Sequence, residues 1–161
     1  MSTPAQALCL HPGEGAAFSA VGDVYRFLAI GDQTGGVYSL CEARVLPGGG
    51  PPPHIHHRED ESFFILEGEL TFQLGDRRLV AKAGSFIQGP RGVPHSFKNE
   101  RAAPARMLIH LSPSGFERFM AEFATPVDSI DASPTPVTPA DIEKLLAVAP
   151  KYGIEILPPP H

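Results

Sequence analysis

Apolar residues recur along this chain in short runs, and many of the runs alternate with polar residues at a period of two. That period marks β-strands with one buried face. Ala16–Ala20 reads as a short strand and Tyr25–Ile30 as a compact apolar one. GDQTGG at 31–36 reads as a turn. Val37–Leu46 follows as a longer strand, with Tyr38, Glu42 and Arg44 on one face and Val37, Cys41 and Val45 on the other. Further strands are predicted at Ser62–Leu66, Glu69–Leu74, Arg77–Ala83, Ser85–Gln88, His95–Lys98 and Ala105–Leu111. Strands of this length, separated by glycine- and proline-rich turns, predict an all-β antiparallel sandwich or barrel.

After Ser112 the period changes. Ser112-Pro113 reads as a helix N-cap followed by proline at the first helical position. Phe116, Phe119, Met120 and Phe123 then form an apolar stripe at helical spacing, expected to pack on the barrel or on a partner subunit. Thr125–Pro139 shows no periodicity and reads as an exposed connector. Thr138-Pro139 with Asp141 starts a second helix, with Ile142, Leu145, Leu146 and Ala149 on its apolar face. No internal repeat and no second domain is visible.

Composition narrows the function classes. The 161 residues suit one domain with a single core, and the net charge of −5 comes without a basic run. Nucleic acid is therefore not an expected partner, because phosphate binding needs clustered Lys and Arg. No apolar run reaches the roughly 18–20 residues of a membrane span. Met1–Leu10 lacks the basic and apolar regions of a signal peptide, so a cytoplasmic location is expected. Cys9 and Cys41 are far apart and read as two reduced thiols rather than a disulfide framework.

The candidate chemistry lies between Gly48 and Asn99. PGGGPPP at 47–53 breaks regular pairing and reads as a stiff loop that delivers His54 and His56. Those two histidines share one face of a strand, and Glu61 and His95 complete a set of three imidazoles and one carboxylate. Such a set suits one divalent ion among Fe, Mn, Ni, Co, Cu and Zn, and it leaves open positions for water, substrate or O₂. If Glu61 faces inward, Phe63 and Ile65 do too, while Phe64 and Leu66 point outward and need a cover, either a subunit interface or the C-terminal helices. His57 should point away from the site, His11 and His161 are not expected to be ligands, and His110 is a residue that could line the cavity.

These residues carry a resemblance. Gly48, five residues, His54-x-His56, four residues, Glu61, six residues and Gly68 match the first cupin motif. Gly84, five residues, Pro90-x-Gly92, two residues, His95, three residues and Asn99 match the second, fifteen residues further on. The chain therefore resembles a single-domain cupin over residues 1–161. The resemblance implies a jelly-roll barrel (double-stranded β-helix) of six to eight strands over about residues 16–112, with a helical extension over about 113–161. It also implies His54, His56, Glu61 and His95 as metal ligands, and a homodimer.

Within the cupins the chain is similar to bacterial quercetin dioxygenase-like proteins, through its YGIEILPPP ending. That similarity implies that Glu61 acts as both ligand and general base. The expected function is a metal-dependent dioxygenase of a small aromatic or enolic, flavonol-like substrate, with Phe63, Ile65 and Phe97 forming an apolar pocket. A non-oxidative isomerase, decarboxylase or lyase, and a small-molecule-binding protein without turnover, are the alternatives. No helix-turn-helix is attached, which removes the commonest regulatory arrangement.

Overall fold

Alternating apolar side chains fold the strands into two facing antiparallel sheets. The computed structural model describes residues 6–159. The elements in chain order are β1 (Ala17–Ala20), β2 (Asp23–Ala29), a single helical turn α1 (Gly31–Thr34), β3 (Ser39–Val45), β4 (His54–His56), β5 (Asp60–Glu67), β6 (Glu69–Leu74), β7 (Arg77–Lys82), β8 (Phe86–Gly89), β9 (His95–Lys98), β10 (Ala105–Ser112), α2 (Phe116–Phe123), β11 (Thr125–Val127), α3 (Pro139–Val148) and β12 (Ile154–Ile156). One sheet runs β11-β1-β2-β3-β10-β5-β8 and the other β12-β4-β9-β6-β7. This is the jelly-roll barrel with two C-terminal helices. The 7-stranded and 5-stranded sheets together exceed the expected six to eight strands, in part through β11 and β12 at their edges and β1 beside β11. No helix among the described residues is long and apolar enough to cross a membrane.

The inner faces follow the alternation. On β5 Phe63 and Ile65 are buried, on β6 Leu70 and Phe72, and on β10 Met107, Ile109 and Leu111. Phe63 packs edge-on against Phe72 and Phe97, at centroid separations of 5.1 and 5.9 Å. The outer face of β5 stays open: Phe64 and Leu66 are exposed, as is Phe86, which pairs with Phe64 across the sheet. The C-terminal helices do not cover this face. They pack over the barrel mouth, where Phe119, Met120 and Leu145 are buried.

Several sequence-based expectations change. Val37 lies outside β3 and is exposed, and the inward set there is Cys41, Ala43 and Val45. Ser112 does not cap α2. It ends β10 and donates its hydroxyl to Val37 O at 2.8 Å, while Gly115 is the N-cap. Residues 125–139 are not a plain exposed connector. Thr125–Val127 adds a strand to the edge of β1, Ile130 is buried, and Arg44 donates to Ile130 O at 2.8 Å and to Ala132 O. The second helix starts at the Thr138 capping box as expected, but it buries Leu145 and Val148 and leaves Ile142 and Leu146 exposed. Sequence periodicity does not fix that rotation, because both faces of the helix carry aliphatic residues. Cys9 is exposed and Cys41 buried, and both are free thiols.

Two buried polar side chains brace the loop that leads into β4. Asn99 donates from Nδ2 to Val45 O at 3.0 Å and to Ala103 O at 2.8 Å, and its backbone carbonyl accepts from Gly48 N at 2.8 Å. Asp23 Oδ1 accepts from Leu46 N at 3.0 Å. Gly50 passes so close to β9 that a Cβ there would lie 1.9 Å from Phe97 O, which only glycine avoids.

Two outcomes follow from this bracing. Replacing Asn99→Ala strands the carbonyls of Val45 and Ala103 and is expected to lower unfolding stability by about 2–3 kcal/mol, read from the urea midpoint. Burial, against the lowering effect of the Leu46 and Gly50 amides and Arg44, raises the Asp23 pKa from 3.8 to about 6. A raised carboxyl pKa means that the folded state holds the proton more tightly, so stability falls as pH climbs through that window. Relative to Asp23→Asn, which keeps the Oδ1 acceptor, the parent protein should lose about 2–3 kcal/mol between pH 4 and pH 7. A parallel pair of stability–pH curves would contradict this.

Candidate metal centre

Four side chains meet inside the barrel. His54 and His56 come from β4, Glu61 from β5 of the opposite sheet and His95 from β9. His54 faces His95 across the β4–β9 pair. All four are buried, and one ligand atom from each lies within 4.8 Å of the others. Donors about 2.1 Å from one ion are separated by roughly 3–4 Å, so this set lies close to the spacing that one shared ion would need.

The tautomers are set by a second ring of contacts. His54 Nδ1 lies 2.9 Å from Pro52 O, His95 Nδ1 lies 3.1 Å from Val93 O, and His56 Nδ1 lies 3.1 Å from Glu59 Oε2. Each Nδ1–H therefore has an acceptor, which makes Nε2 the atom that each ring, once neutral, would turn to an ion. His95 Nε2 lies 2.7 Å and His56 Nε2 3.2 Å from Glu61 Oε2. The donor set of three imidazole nitrogens and one carboxylate oxygen, each held by its surroundings, fits a cupin metal site.

Electrostatics favour positive charge at the centre. Burial and the neighbouring His95 and His56 push the His54 pKa down from 6.5 to about 3, so that ring is neutral. Burial also disfavours charge on His56, but Glu61 and Glu59 outweigh it and raise its pKa to about 10. Burial acts against ionisation of Glu61 as well, yet His56 and His95 hold its carboxyl well below the usual range. Two buried carboxylates thus attract one cationic partner, in the place where a metal ion would supply the charge instead.

Sequence reasoning misses Glu59, although the period of two contains it. It sits two residues before Glu61 and shares that side of the chain, so an inward Glu61 implies an inward Glu59. The other expectations divide. His57 is outside the cluster, exposed, and hydrogen-bonded to Glu155 at 2.8 Å. His11 is exposed, and His161 lies outside the described residues. His110 does not line the cavity. It stacks on Tyr38 at 5.2 Å, on the face of β10 opposite Ile109 and Leu111.

The donors open into an apolar cavity of about 60 Å³. Of the expected pocket residues Phe63, Ile65 and Phe97, only Phe97 lines it. The α2 stripe does pack on the barrel, as expected, but it also closes the site: Phe116, Phe119, Met120 and Phe123 form the cavity roof. Phe116 lies edge-on to His56 at 6.2 Å. The tail strand β12 pairs with β4, Ile154 opposite His56 and Ile156 opposite His54, and so braces the histidine strand from its far edge.

The ligand set is open to direct measurement. Protein stripped of metal and reloaded with Co(II) or Mn(II) should bind one equivalent, and His56→Ala or Glu61→Gln should lose most of it. Glu59→Ala should retain the site with affinity weakened about 10–100-fold, because it removes the acceptor for His56 Nδ1–H and leaves the donor set in place. Full stoichiometry at unchanged affinity in His56→Ala would exclude the assignment.

Residues 41–111 match the cupin domain family. A germin-like protein of Arabidopsis thaliana, subfamily 2 member 4, is 42% identical over 76 residues, which cover 44% of this chain and 34% of that protein. Quercetin 2,3-dioxygenase of Bacillus subtilis (strain 168) is 23% identical over 125 residues, covering 78% of this chain and 37% of that protein. The chain thus spans about a third of the length of these curated relatives. Among solved structures, the polyketide cyclase RemF of Streptomyces resistomycificus superposes with a TM-score of 0.60 at 23% identity, over 89% of this chain and 99% of that one, a likeness of fold. The matched segment, residues 41–111, holds both histidine-bearing loops and the strands that roll around them, and this match together with the shared fold supports a cupin-superfamily protein.

Proposed function

We propose that His54, His56, Glu61 and His95 hold one divalent metal ion, and that the protein is a metal-dependent dioxygenase of a compact enolic or phenolic molecule. The observation that carries this reading is the contrast between the buried donor set and its cavity. Beside His54, His56 and Glu61, the lining holds no charged side chain. Such a pocket favours a largely apolar substrate and disfavours a sugar or dicarboxylate, whose polar groups would lose water without replacement.

The residues present divide the work. When bound, the ion supplies a Lewis acid for an enolate oxygen and a redox-active centre for O₂. Glu61, through the carboxylate oxygen not engaged by His56 and His95, accepts the proton of the substrate O–H. The Pro52, Val93 and Glu59 acceptors fix the three imidazoles in orientation. Phe116 and its neighbours on α2 exclude water from the reacting end. Both atoms of O₂ enter the organic product, so no external reductant is consumed. Quercetin 2,3-dioxygenase of Bacillus subtilis is a relative whose name fits this chemistry. A cavity of about 60 Å³ is far smaller than the roughly 300–1,000 Å³ of sites for drug-sized ligands. A three-ring flavonol would therefore require α2 to withdraw, whereas a small enol fits with less displacement.

Oxygen uptake tests the reading. Protein loaded with Fe, Mn, Co or Ni should consume O₂ on small β-diketones or monocyclic enols faster than on flavonols, and Glu61→Gln should lose at least about 100-fold in rate. No uptake with any of these metals across that panel would end the dioxygenase proposal. Substrate loss under strict anaerobiosis would assign the site to non-oxidative chemistry instead.

A further inference from the structure

The cavity above the donor set contains one polar side chain that the metal centre does not use. Tyr25 lies on the inward side of β2, opposite Ala43 on β3, and only 7% of it is exposed. It lines the same cavity as His54, His56 and Glu61. The rest of the lining, including Ala20, Phe97, Ile109 and Met120, is apolar. The Tyr25 side chain borders the cavity space and is not tied up by a neighbour as Tyr152 is, whose part-buried hydroxyl donates to Glu122 at 2.6 Å. Phe116 from the roof stands edge-on to both Tyr25 and His56, at 6.5 and 6.2 Å. The phenol and the donor set therefore flank one aromatic wall.

A hydroxyl that borders an apolar cavity gains a hydrogen bond when a ligand brings an acceptor into that space. Burial, then the charges of Asp23, Cys41 and Glu61, raise the Tyr25 pKa well above 10, so the hydroxyl stays an O–H donor. No lysine or arginine lines the cavity, so a carboxylate at the far end of a ligand would have no counter-charge there.

We propose that Tyr25 is a specificity-determining residue that donates a hydrogen bond to a neutral oxygen of the substrate, a keto or ether oxygen, while another oxygen of the same molecule faces His54, His56 and Glu61. The substrate class is then a small molecule with two oxygens, apolar between them, and no carboxylate at its far end. This inference rests on the reading of the cavity as the substrate site of a metal centre.

An isosteric probe pair tests it. Methoxyacetohydroxamate and butanohydroxamate share a chelating head and differ only by an ether oxygen in place of a methylene. Their binding to cobalt-loaded protein is read from the visible cobalt spectrum, without turnover. The parent protein should prefer the ether probe by about 3–10-fold, the range of one neutral hydrogen bond. Tyr25→Phe should erase that preference by weakening the ether probe alone. An unchanged ratio with both probes still bound would overturn the role of Tyr25 and leave the metal centre standing. Equal loss of both probes in Tyr25→Phe would also overturn it, since a merely structural effect does not discriminate between isosteres. If neither probe perturbs the cobalt spectrum of the parent protein, the cavity reading itself fails, and this inference with it.

Discussion

Burying several ionisable groups in an apolar cavity is the constraint to which the interior of this protein answers. Four such groups, His54, His56, Glu61 and His95, sit at the centre with Glu59 behind them, and each would be destabilised there alone. They are tolerated because the charges are mutual and because every imidazole has an acceptor for its outward N–H. Two of those acceptors are backbone carbonyls, at Pro52 and Val93. The loops that supply them must therefore be as rigid as the strands, which gives a physical meaning to their proline and glycine content.

That rigidity is visible in how the two loops are tied. Asn99, at the end of the second histidine loop, holds the start of the first through Gly48 and Val45. Gly92 in the second loop donates to His56 O at 2.8 Å, and Arg91 pairs with Asp60 at 3.0 Å beside Glu61. The motif positions that are not donors thus join the donor-bearing segments to each other. Gly68 serves the fold in a related way. A Cβ there would meet Ala105 at 3.0 Å, so its lack of a side chain lets the β5–β6 turn lie against β10.

Much of this is legible in residue order, for a clear reason. The strands and the four donors carry a period of two and fixed spacings, which are local properties of the chain. They bring out His54, His56, Glu61 and His95 as candidates, which the cupin resemblance then makes a ligand set, and the side of the sheet for Phe63 and Ile65 follows. What stays hidden depends on distant packing. The rotation of α3, the strand at Thr125–Val127 and the alliance of Arg44 with Ile130 and Ala132 are set by partners far along the chain. The α2 stripe reads as packing surface, and it is, but only the folded arrangement shows that it is also the roof of the cavity. Tyr25 gives no signal, because an aromatic residue in an apolar strand looks the same whether its hydroxyl meets a partner or an empty space.

The pairing of β12 with β4 makes the site depend on a distant segment. The strand bearing His54 and His56 is short, and its edge away from β9 is completed by Ile154–Ile156. A substitution that frays this tail strand would therefore loosen two imidazoles at once without touching a single donor.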